Sequence, residues 1–513
     1  MKNKILITGF LIFSIVNLFA SHKMGADIQY VYLGANKYKF ITKFYRDCKG
    51  ISFENPEITL EIGSNNGNTV CASFPLTPYR VSIKDVTQIC SDSSLPCSPQ
   101  NTTIPNIEGV EEHVYENVVD FSLMQYASVL NVNTCSEITV YFSQCCRNGS
   151  ITTATPGNFI ISTTLYWNNV LKTPKKENNS VIFSNLPIIY ACCNVPFSLS
   201  QCAIDTSDYD SVSFNLVHPI ETKPNVSVNY NSPFTKEFPM TPYCPPTAGV
   251  VNCNPLPNAQ PPRGFYFDSK TGDIIFTPTN CEEVGILVIE ANEFRKDSFG
   301  RMLQVGKSRR DMEIIVKSCG QNISPKITGS DSYIICEGQK LCFDISVKDS
   351  SENYEDSLII SWNDNMKDNS VIMIDSSSNN KKIEVCWTTK IGDAKNYPYL
   401  FSLTASDNVC PFPIKVSKTF KIQVKNCLSN EKTNVQNDLN LNVYPNPAQN
   451  TFKVITKLNK CDLSLFDVNG KEVLKIKNYI NGDLIKIESL NKGFYTIKCS
   501  FENHSLYETL IIE

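Results

Sequence analysis

The chain has few histidines, and it lacks the motifs on which most enzyme mechanisms depend. Its four His are His22, His113, His218 and His504, and it contains no Cys-x-x-Cys pair, so the ligand spacing of a zinc site is missing. It also lacks a Gly-x-Ser-x-Gly elbow, a His-Glu-x-x-His motif and a phosphate-binding loop. We therefore expect a non-enzymatic protein. A secreted hydrolase with two catalytic carboxylates stays open, because a pair distant in sequence leaves no local signature.

Charge and long apolar runs are also scarce. Charged residues make up 19% of the chain, the formal net charge is −4, and Lys and Arg form no basic stripe. Nucleic acid is therefore an unfavourable partner, because its binding depends on clustered cations. Beyond residue 20 no stretch reaches the roughly 18 apolar residues that a membrane helix needs, so we expect no transmembrane helix.

The N-terminus has the order of a secretory signal peptide. Lys2 and Lys4 precede the apolar run 5–19, and Ala20 offers a small residue for cleavage, which would leave Ser21 as the first mature residue. The alternative is a buried N-terminal strand or helix. We expect residues 1–20 to be removed on export to the periplasm.

Cysteine is abundant. The chain has 21 Cys, which indicates disulfides in an oxidising compartment, and the odd count leaves at least one thiol free or paired outside the chain. Neighbouring residues on a strand point to opposite faces, so each Cys of an adjacent pair is expected to reach a different partner. The disulfide candidates are Cys48, Cys145, Cys146, Cys192, Cys193, Cys319, Cys336, Cys342, Cys386, Cys410 and Cys427.

Short alternating runs rich in Val, Ile, Phe, Tyr and Thr replace helical periodicity, so the predicted fold class is all-β. One repeat is visible: Met-Glu-Ile-Ile-Val-Lys-Ser-Cys at 312–319 is echoed by Phe-Lys-Ile-Gln-Val-Lys-Asn-Cys at 420–427. A spacing of about one hundred residues suits consecutive immunoglobulin-like or cadherin-like sandwiches, although any two strands can look alike. The predicted domains are a signal peptide (1–20), a Cys-rich β region of one or two domains (21–195), an immunoglobulin- or cadherin-like sandwich (196–320), an immunoglobulin-like sandwich (325–428), a linker (429–440) and a small β-sandwich (441–513).

The last segment resembles a known family. Val-Tyr-Pro-Asn-Pro-Ala at 443–448, Leu-Phe-Asp-Val-Asn-Gly-Lys at 465–471 and Leu-Asn-Lys-Gly-Phe-Tyr at 490–495 occur in the order of a type A sorting domain of the type IX secretion system. The resemblance implies that this domain is an address, recognised by the secretion machinery and usually removed. An ordinary small β-sandwich that binds a ligand is the alternative. The residues that carry the motif are Tyr444, Pro445, Asn446, Pro447, Asp467, Gly470, Lys471, Gly493 and Tyr495.

A second resemblance covers residues 21 to about 320. Ser-His-Lys-Met-Gly at 21–25, Tyr-Arg-Asp-Cys-Lys-Gly at 45–50, Cys-Cys-Arg-Asn at 145–148 and Arg-Asp-Met at 310–312 are similar to segments of gliding-motility-associated, adhesin-like bacterial cell-surface proteins. This resemblance implies adhesion or surface architecture. The chain differs from those proteins in being short, without a long array of repeated modules.

Acidic clusters indicate calcium as the one cofactor candidate. Carboxylates at the ends of sandwiches are hard oxygen ligands of the kind that calcium prefers, although Asp in turns is common without an ion. Two tryptophans, Trp362 and Trp387, are expected to pack between the sheets of the 325–428 sandwich. The predicted calcium ligands are Asp205, Asp208, Asp210, Asp349, Glu355, Asp356 and Asp407.

Taken together, these features predict a secreted or surface-attached protein that passes through the periplasm and works outside the cell or on the outer-membrane surface. Its expected partners are the type IX secretion machinery and an unknown extracellular ligand or surface component. Two alternatives to a binding or adhesion protein remain: a secreted hydrolase, and a structural subunit of a motility or surface-layer apparatus.

Overall fold

The computed structural model describes most of the chain from Lys23 onward, in two compact units, Met1–Asn426 and Cys427–Glu513. The predicted signal peptide, with its cleavage position between Ala20 and Ser21, and the predicted linker 429–440 lie outside the described residues. The described residues are 23–50, 56–64, 69–89, 97, 109–130, 134–201, 203–205, 208, 210–222, 226–246, 252–349, 357–366, 368–410, 412–427, 441–456, 460–467, 470–488, 490–501 and 504–512.

The prediction of an all-β protein is confirmed, since strands and only two short helices account for the regular structure of the described residues. The elements of the first 317 residues are β1 (Lys23–Gly34), β2 (Lys37–Asp47), β3 (Ile58–Ser64), β4 (Val70–Leu76), β5 (Tyr79–Asp85), β6 (Val110–Asp120), α1 (Met124–Leu130), β7 (Cys135–Gln144), β8 (Phe159–Tyr166), α2 (Trp167–Lys172), β9 (Ile182–Phe183), β10 (Ile188–Cys192), β11 (Phe197–Leu199), β12 (Ala203–Ile204), β13 (Ser211–Val217), β14 (Ile220–Thr222), β15 (Val226–Ser227), β16 (Tyr266–Phe267), β17 (Ile274–Phe276), β18 (Val284–Lys296) and β19 (Met302–Lys317).

Two further groups of strands follow. The first unit continues with β20 (Lys326–Thr328), β21 (Ser332–Cys336), β22 (Lys340–Lys348), β23 (Ile359–Asp364), β24 (Ser370–Ser376), β25 (Asn380–Thr388), β26 (Tyr399–Ser406) and β27 (Lys415–Lys425). The second unit contains β28 (Asn442–Tyr444), β29 (Thr451–Ile455), β30 (Lys460–Phe466), β31 (Glu472–Ile480), β32 (Leu484–Lys486), β33 (Gly493–Phe501) and β34 (His504–Ile512).

A fourteen-stranded sheet organises residues 23–317, and β19 is its central strand. Its main order is β4-β3-β7-β8-β19-β1-β2-β6-β5, and β10, β13, β14, β15 and β18 branch from it. β19 pairs with β1, β8 and β18 antiparallel and with β10 parallel. The boundary predicted between 195 and 196 therefore does not separate two sheets. Residues 181–316 nevertheless have a hydrophobic core of their own, built around Phe197, Phe214 and Phe276.

The sequence repeat corresponds to a repeated strand arrangement. β19 carries the first copy, and it lies between the antiparallel β18 and the parallel β10. β27 carries the second copy, and it lies between the antiparallel β26 and the parallel β21. β19 and β27 thus have equivalent positions, each between one antiparallel and one parallel neighbour.

Two four-stranded sheets, β20-β22-β25-β24 and β21-β27-β26-β23, form a sandwich within the predicted 325–428 segment. Trp387 is 1% exposed and its ring lies 4.7 Å from that of Tyr399, as expected for a core residue. The prediction that Trp362 also packs in the core is wrong, because Trp362 is 43% exposed. It belongs to β23, which is the last strand of its sheet and so has a neighbouring strand on one side only.

The structure places all eleven disulfide candidates in disulfides. Cys192 and Cys193 reach different partners, Cys319 and Cys281, as expected for neighbours on a strand. The structure records Cys145 and Cys146 as joined to each other. These two residues follow β7 rather than lying within it, so strand alternation does not direct them apart. The other disulfides with described partners are Cys48–Cys97, Cys71–Cys135, Cys244–Cys253, Cys342–Cys386 and Cys461–Cys499.

The second unit is a small sandwich of a three-stranded sheet, β28-β29-β32, and a four-stranded sheet, β31-β30-β33-β34. Alternating residues such as Leu463, Leu465, Ile497 and Cys499 are fully buried between the sheets. Throughout the described parts of both units, no helix has the length and apolar character needed to cross a membrane.

Candidate functional site

The opening motif of the second unit holds the last strand in place. The Asn446 side chain donates to the carbonyl of Thr509 at 2.6 Å and accepts the N–H of Ile511 at 2.8 Å. Ala448, fully buried, donates its N–H to the Ile511 carbonyl at 2.8 Å. This part of the motif therefore joins the first and last strands of the sandwich.

The other two parts of the motif build turns. Asp467 accepts the N–H of Lys471 through its side chain at 3.0 Å, and its carbonyl accepts the N–H of Gly470 at 2.9 Å. Gly470 has φ of 78° and Gly493 has φ of 150°, both in the region that favours glycine. The Tyr495 hydroxyl donates to the Asn491 carbonyl at 2.7 Å. The described motif residues thus have evident roles in the fold of the unit.

The first three predicted calcium ligands are aspartates that lie beside positively charged side chains of the same chain. Asp205, Asp208 and Asp210 lie close enough together to hold a metal. Arg295 contacts Asp210 through two hydrogen bonds of 2.6 and 2.7 Å, and Lys175 contacts Asp208 at 2.5 Å. Burial raises the pKa of Asp210 to about 6, although Arg295 acts in the opposite direction. The arrangement is a buried ion-pair network. The sequence around these Asp residues does not predict that Arg295 is their partner, because it lies 85 positions from Asp210.

A buried carboxyl group that the sequence did not single out lies beside this network. Glu293 is fully buried, and burial followed by the charges of Asp205, Asp210 and Asp208 raises its pKa well above the ordinary value. Its Oε2 lies 3.5 Å from the hydroxyl of Tyr30. Such surroundings favour the neutral form of a carboxyl group over the charged form.

Of the other four predicted calcium ligands, the structure describes two. Glu355 and Asp356 lie outside the described residues. Asp349 and Asp407 are both buried, and burial raises the pKa of Asp407 to about 6, with the charge of Asp349 acting in the same direction. Asn322, which was not predicted, donates its Nδ2 to Asp407 at 3.1 Å.

The motif residues of the second resemblance meet inside the large sheet. Arg147 forms an ion pair with Asp311 at 2.8 Å, and Arg310 forms one with Asp27 at 2.8 Å; all four side chains are at most 1% exposed. Lys23 donates to the carbonyl of Cys145 at 2.5 Å. These segments, which are far apart in sequence, are thus brought together as buried structural contacts rather than as an open site.

His113, which lies in β6, is packed inside the first unit. It is 3% exposed, stacks on Phe44 with ring centroids 5.0 Å apart, and lies 3.1 Å from Glu111. Burial lowers its pKa below the ordinary value. The position favours a neutral, structural histidine.

A cleft of about 390 Å³ lies between the β16–β17 strand pair and the sandwich strand β27. Its wall carries two carboxyl groups, Asp268 and Asp273, whose pKa values are shifted in opposite directions. Burial raises the pKa of Asp273 to about 6, despite a 2.8 Å hydrogen bond from Thr419. Burial also acts to raise the pKa of Asp268, but a 2.8 Å contact with Lys421 and backbone N–H groups lower it overall. Sequence reasoning missed this site, because its residues come from strands about 150 positions apart.

Tyr266 lines this cleft and also a second, open cleft of about 1,020 Å³. The second cleft is bordered by Phe265, Phe267, Lys236 and Glu237. The strand Tyr266–Phe267 therefore separates two concave surfaces, each combining aromatic rings with charged groups.

The fold and the motif geometry together define a disulfide-linked, all-β chain that ends in a separate small sandwich. Residues 442–513, which form that sandwich, match the family described as the secretion system C-terminal sorting domain. The match supports export of the chain as type IX secretion cargo, to the cell surface or beyond it. No curated protein matches the chain.

Three similar solved structures align with the chain at very low TM-scores. SGBP-B of the Bacteroides ovatus mixed-linkage glucan utilization locus, in complex with a mixed-linkage heptasaccharide, is 10% identical, with a TM-score of 0.18 over 64% of this chain and 67% of that chain. Mouse clustered PcdhgC3 EC1-3 is 12% identical, with a TM-score of 0.17 over 48% and 85%. Human Protocadherin-24 EC1-2 is 15% identical, with a TM-score of 0.15 over 48% and 97%. Nothing about function follows from these values.

Proposed function

We propose that the protein is exported through the type IX route by its C-terminal sandwich and works outside the cell as a non-enzymatic binding or adhesion protein. The observation that carries the export step is the sorting-domain match over residues 442–513. The side-chain contacts of Asn446 and the turn at Asp467 support it, because they show the motif residues building one compact unit.

The test of export compares the full chain with a version that ends at Asn440. The full chain is expected in the medium or on the surface, shortened by about 70 residues, and the truncated chain in the periplasm. Cell fractionation gives the location of each version, and intact mass measurement shows whether the full chain has been shortened. A variant with Leu484→Ser, which changes an exposed side chain of the sorting unit, is the matched control and should be exported normally. Equal export of the truncated chain would refute the proposal.

The binding step rests on the two clefts beside Tyr266. A tyrosine ring flanked by carboxylates, lysines and hydroxyl groups suits a polar ligand that presents both hydroxyl groups and apolar faces, such as a carbohydrate. Binding of the exported protein to a panel of polysaccharides is the measurement. Tyr266→Ala is expected to weaken binding at least tenfold, whereas Tyr79→Ala, which removes an exposed ring from the edge strand β5, should leave it unchanged.

A hydrolase is the second candidate, and the Asp268 and Asp273 pair favours it. Two carboxyl groups whose surroundings move their pKa values in opposite directions are the arrangement that acid–base catalysis on glycosides uses. Turnover of a polysaccharide that disappears in both Asp268→Asn and Asp273→Asn, with binding retained, would replace the non-enzymatic proposal. Binding without turnover supports the binding protein.

A further inference from the structure

One end of the first unit carries exposed apolar side chains on four separate segments. β1 pairs with β19 antiparallel through Ala26 and Asp311, so the β1–β2 turn and the β18–β19 turn lie at the same end of the sheet. β8 also runs antiparallel to β19, with Leu165 opposite Gly306, which brings helix α2 to this end. The large apolar side chains exposed here are Leu33, Leu123, Met124, Leu171, Phe299 and Met302.

Packed aromatic rings hold these segments together beneath their exposed side chains. Phe121, which follows β6, donates its N–H to the carbonyl of Asn36 in the β1–β2 turn at 3.0 Å. The centre of its ring lies 5.5 Å from that of Trp167 in α2 and 5.6 Å from that of Tyr126 in α1. The β1–β2 turn and both helices therefore share one packed base.

The two most exposed of the apolar side chains belong to different segments of this end. Phe299 is 84% exposed in the β18–β19 turn, and Met124 is 85% exposed at the start of α1. A protein partner needs a closely fitting surface to bury such side chains. The boundary of a lipid layer accepts separate protruding side chains without a matching shape, because its head groups and acyl chains move aside. The arrangement therefore favours a lipid surface over a protein partner.

Three exposed lysines lie at the same end. Lys172 ends α2, Lys176 follows it, and Lys296 ends β18. Arg295 donates to the carbonyl of Lys175 at 3.1 Å, which places the segment after α2 beside the end of β18. In the ranges that the structure describes, none of the three lysines has an ion-pair partner. Their charges are therefore available to an external anion.

Neighbouring acidic groups are engaged with other cations. Asp120 pairs with Lys37 at 3.6 Å, and Asp297 pairs with Arg301 at 2.8 Å. Arg301 also lies over the Phe299 ring, 5.4 Å from its centre, so a cation accompanies the exposed ring. Apolar side chains with cations around them are complementary to a membrane surface that has anionic head groups.

We propose that this end of the first unit binds a lipid surface with anionic head groups. Phe299 and Met124 insert at the level of the acyl chains, while Lys172, Lys176 and Lys296 contact the head groups. The affinity of such binding grows with the apolar area inserted and with the attraction between cations and anionic lipids, so both groups of residues contribute. The contact does not involve the clefts beside Tyr266, and it would hold the exported protein at a membrane while those clefts face solvent.

The test is co-sedimentation of the full exported protein with phosphatidylcholine vesicles, prepared with and without phosphatidylglycerol. Binding to the anionic vesicles, weaker at high salt, is the expected result. Phe299→Ser combined with Met124→Ser should weaken this binding at least tenfold, because it removes both inserted side chains. Ile391→Ser is the matched control, since it removes a 92% exposed apolar side chain from the sandwich and should leave binding unchanged.

The contribution of the lysines is tested separately. Lys172→Gln combined with Lys296→Gln should weaken binding to the anionic vesicles by about fivefold per lysine. Lys340→Gln combined with Lys348→Gln, which removes two exposed lysines from β22, is the charge-matched control and should leave binding unchanged.

All the exchanged side chains are exposed, so the variants should fold, and their thermal unfolding midpoints check this. Absence of vesicle binding by the folded, unchanged protein would overturn the proposal. So would equal binding by the folded variant that lacks Phe299 and Met124. A lipid-free dimer that this variant dissociates, seen by sedimentation velocity in a protein that does not bind vesicles, would assign the surface to a second copy of the chain instead.

Discussion

Arg295 and Asp210 are joined by two hydrogen bonds of 2.6 and 2.7 Å inside the first unit. Asp210 is one of three aspartates that lie close together there. Arg295 is 11% exposed and Asp210 is 2% exposed, so solvent contributes little to screening them. Arg295 thus places a positive charge beside the three aspartates that the sequence predicts as calcium ligands.

Replacing Arg295 by Met is therefore expected to lower the free energy of unfolding by about 3–5 kcal/mol, because it leaves buried carboxylates without their counter-charge. Denaturant titration measures the change. Arg301→Met is the control, since Arg301 pairs with Asp297 while being 70% exposed, and a loss below about 1 kcal/mol is expected there. Similar losses in the two variants would show that the Arg295 network contributes no special stability.

Asn446→Ala removes the two side-chain hydrogen bonds that Asn446 makes with the last strand of the sorting unit, and it leaves the Ala448–Ile511 backbone hydrogen bond in place. We expect that unit to lose about 1–2 kcal/mol of stability and the secreted yield to fall, because each bond contributes about 0.5–1.5 kcal/mol. Asn442→Ala, an exposed change on the neighbouring strand β28, serves as the comparison. Thermal unfolding and secreted yield are both measured, and unchanged values for Asn446→Ala would count against its clamping role.

The two tryptophans of the sandwich should differ sharply when they are replaced. Trp387→Ala is expected to cost about 3–5 kcal/mol, because it leaves a cavity beside Tyr399. Trp362→Ala, at a position that is 43% exposed, should cost about 1 kcal/mol or less. Denaturant midpoints of the two variants provide the measurement, and the reverse order would contradict the packing described.

Asp273 gives the first unit a pH dependence. Its folded-state pKa of about 6 lies above the ordinary value, so the folded state binds the proton more tightly than the unfolded state. Its contribution to stability is fully present below about pH 4 and is lost as the pH rises through 6. Asp273→Asn should flatten this part of the stability profile. Unfolding measured from pH 4 to 8 tests it, with Asp344→Asn as an exposed control that keeps the original slope.

Two disulfides that differ in loop length should differ in their contribution to stability. Cys192–Cys319 encloses 127 positions and Cys244–Cys253 encloses 9. Cys193–Cys281 stays intact and already closes 88 of the positions in the first loop. Loop-closure entropy therefore predicts a loss of about 4 kcal/mol when the first disulfide is removed by paired Cys→Ala changes, and of about 2.5 kcal/mol for the second. Chemical unfolding of the two double variants compares them. Equal losses would indicate that strain or residual structure in the unfolded chain dominates.

The sequence predicted features that depend on neighbouring residues, and it did not predict contacts between residues far apart in the chain. The all-β class followed from alternation, and the sorting motif was visible because its turn residues lie within a few positions of one another. The position of β19 in the centre of a sheet was not predictable, since alternation identifies a strand without identifying its neighbours. The same limit applies to Arg295, whose partner Asp210 is 85 positions away, and to the cleft residue Lys421, whose partner Asp268 is 153 positions away.

The central position of β19 has a consequence for the order in which the protein is assembled. Asp27 of β1 contacts Arg310 across 283 positions, so one edge of β1 stays unpaired until about three fifths of the chain has been made. An open edge is a template for pairing with other chains. Until β19 has been made and has paired with β1, this strand edge is therefore the part of the chain most exposed to aggregation.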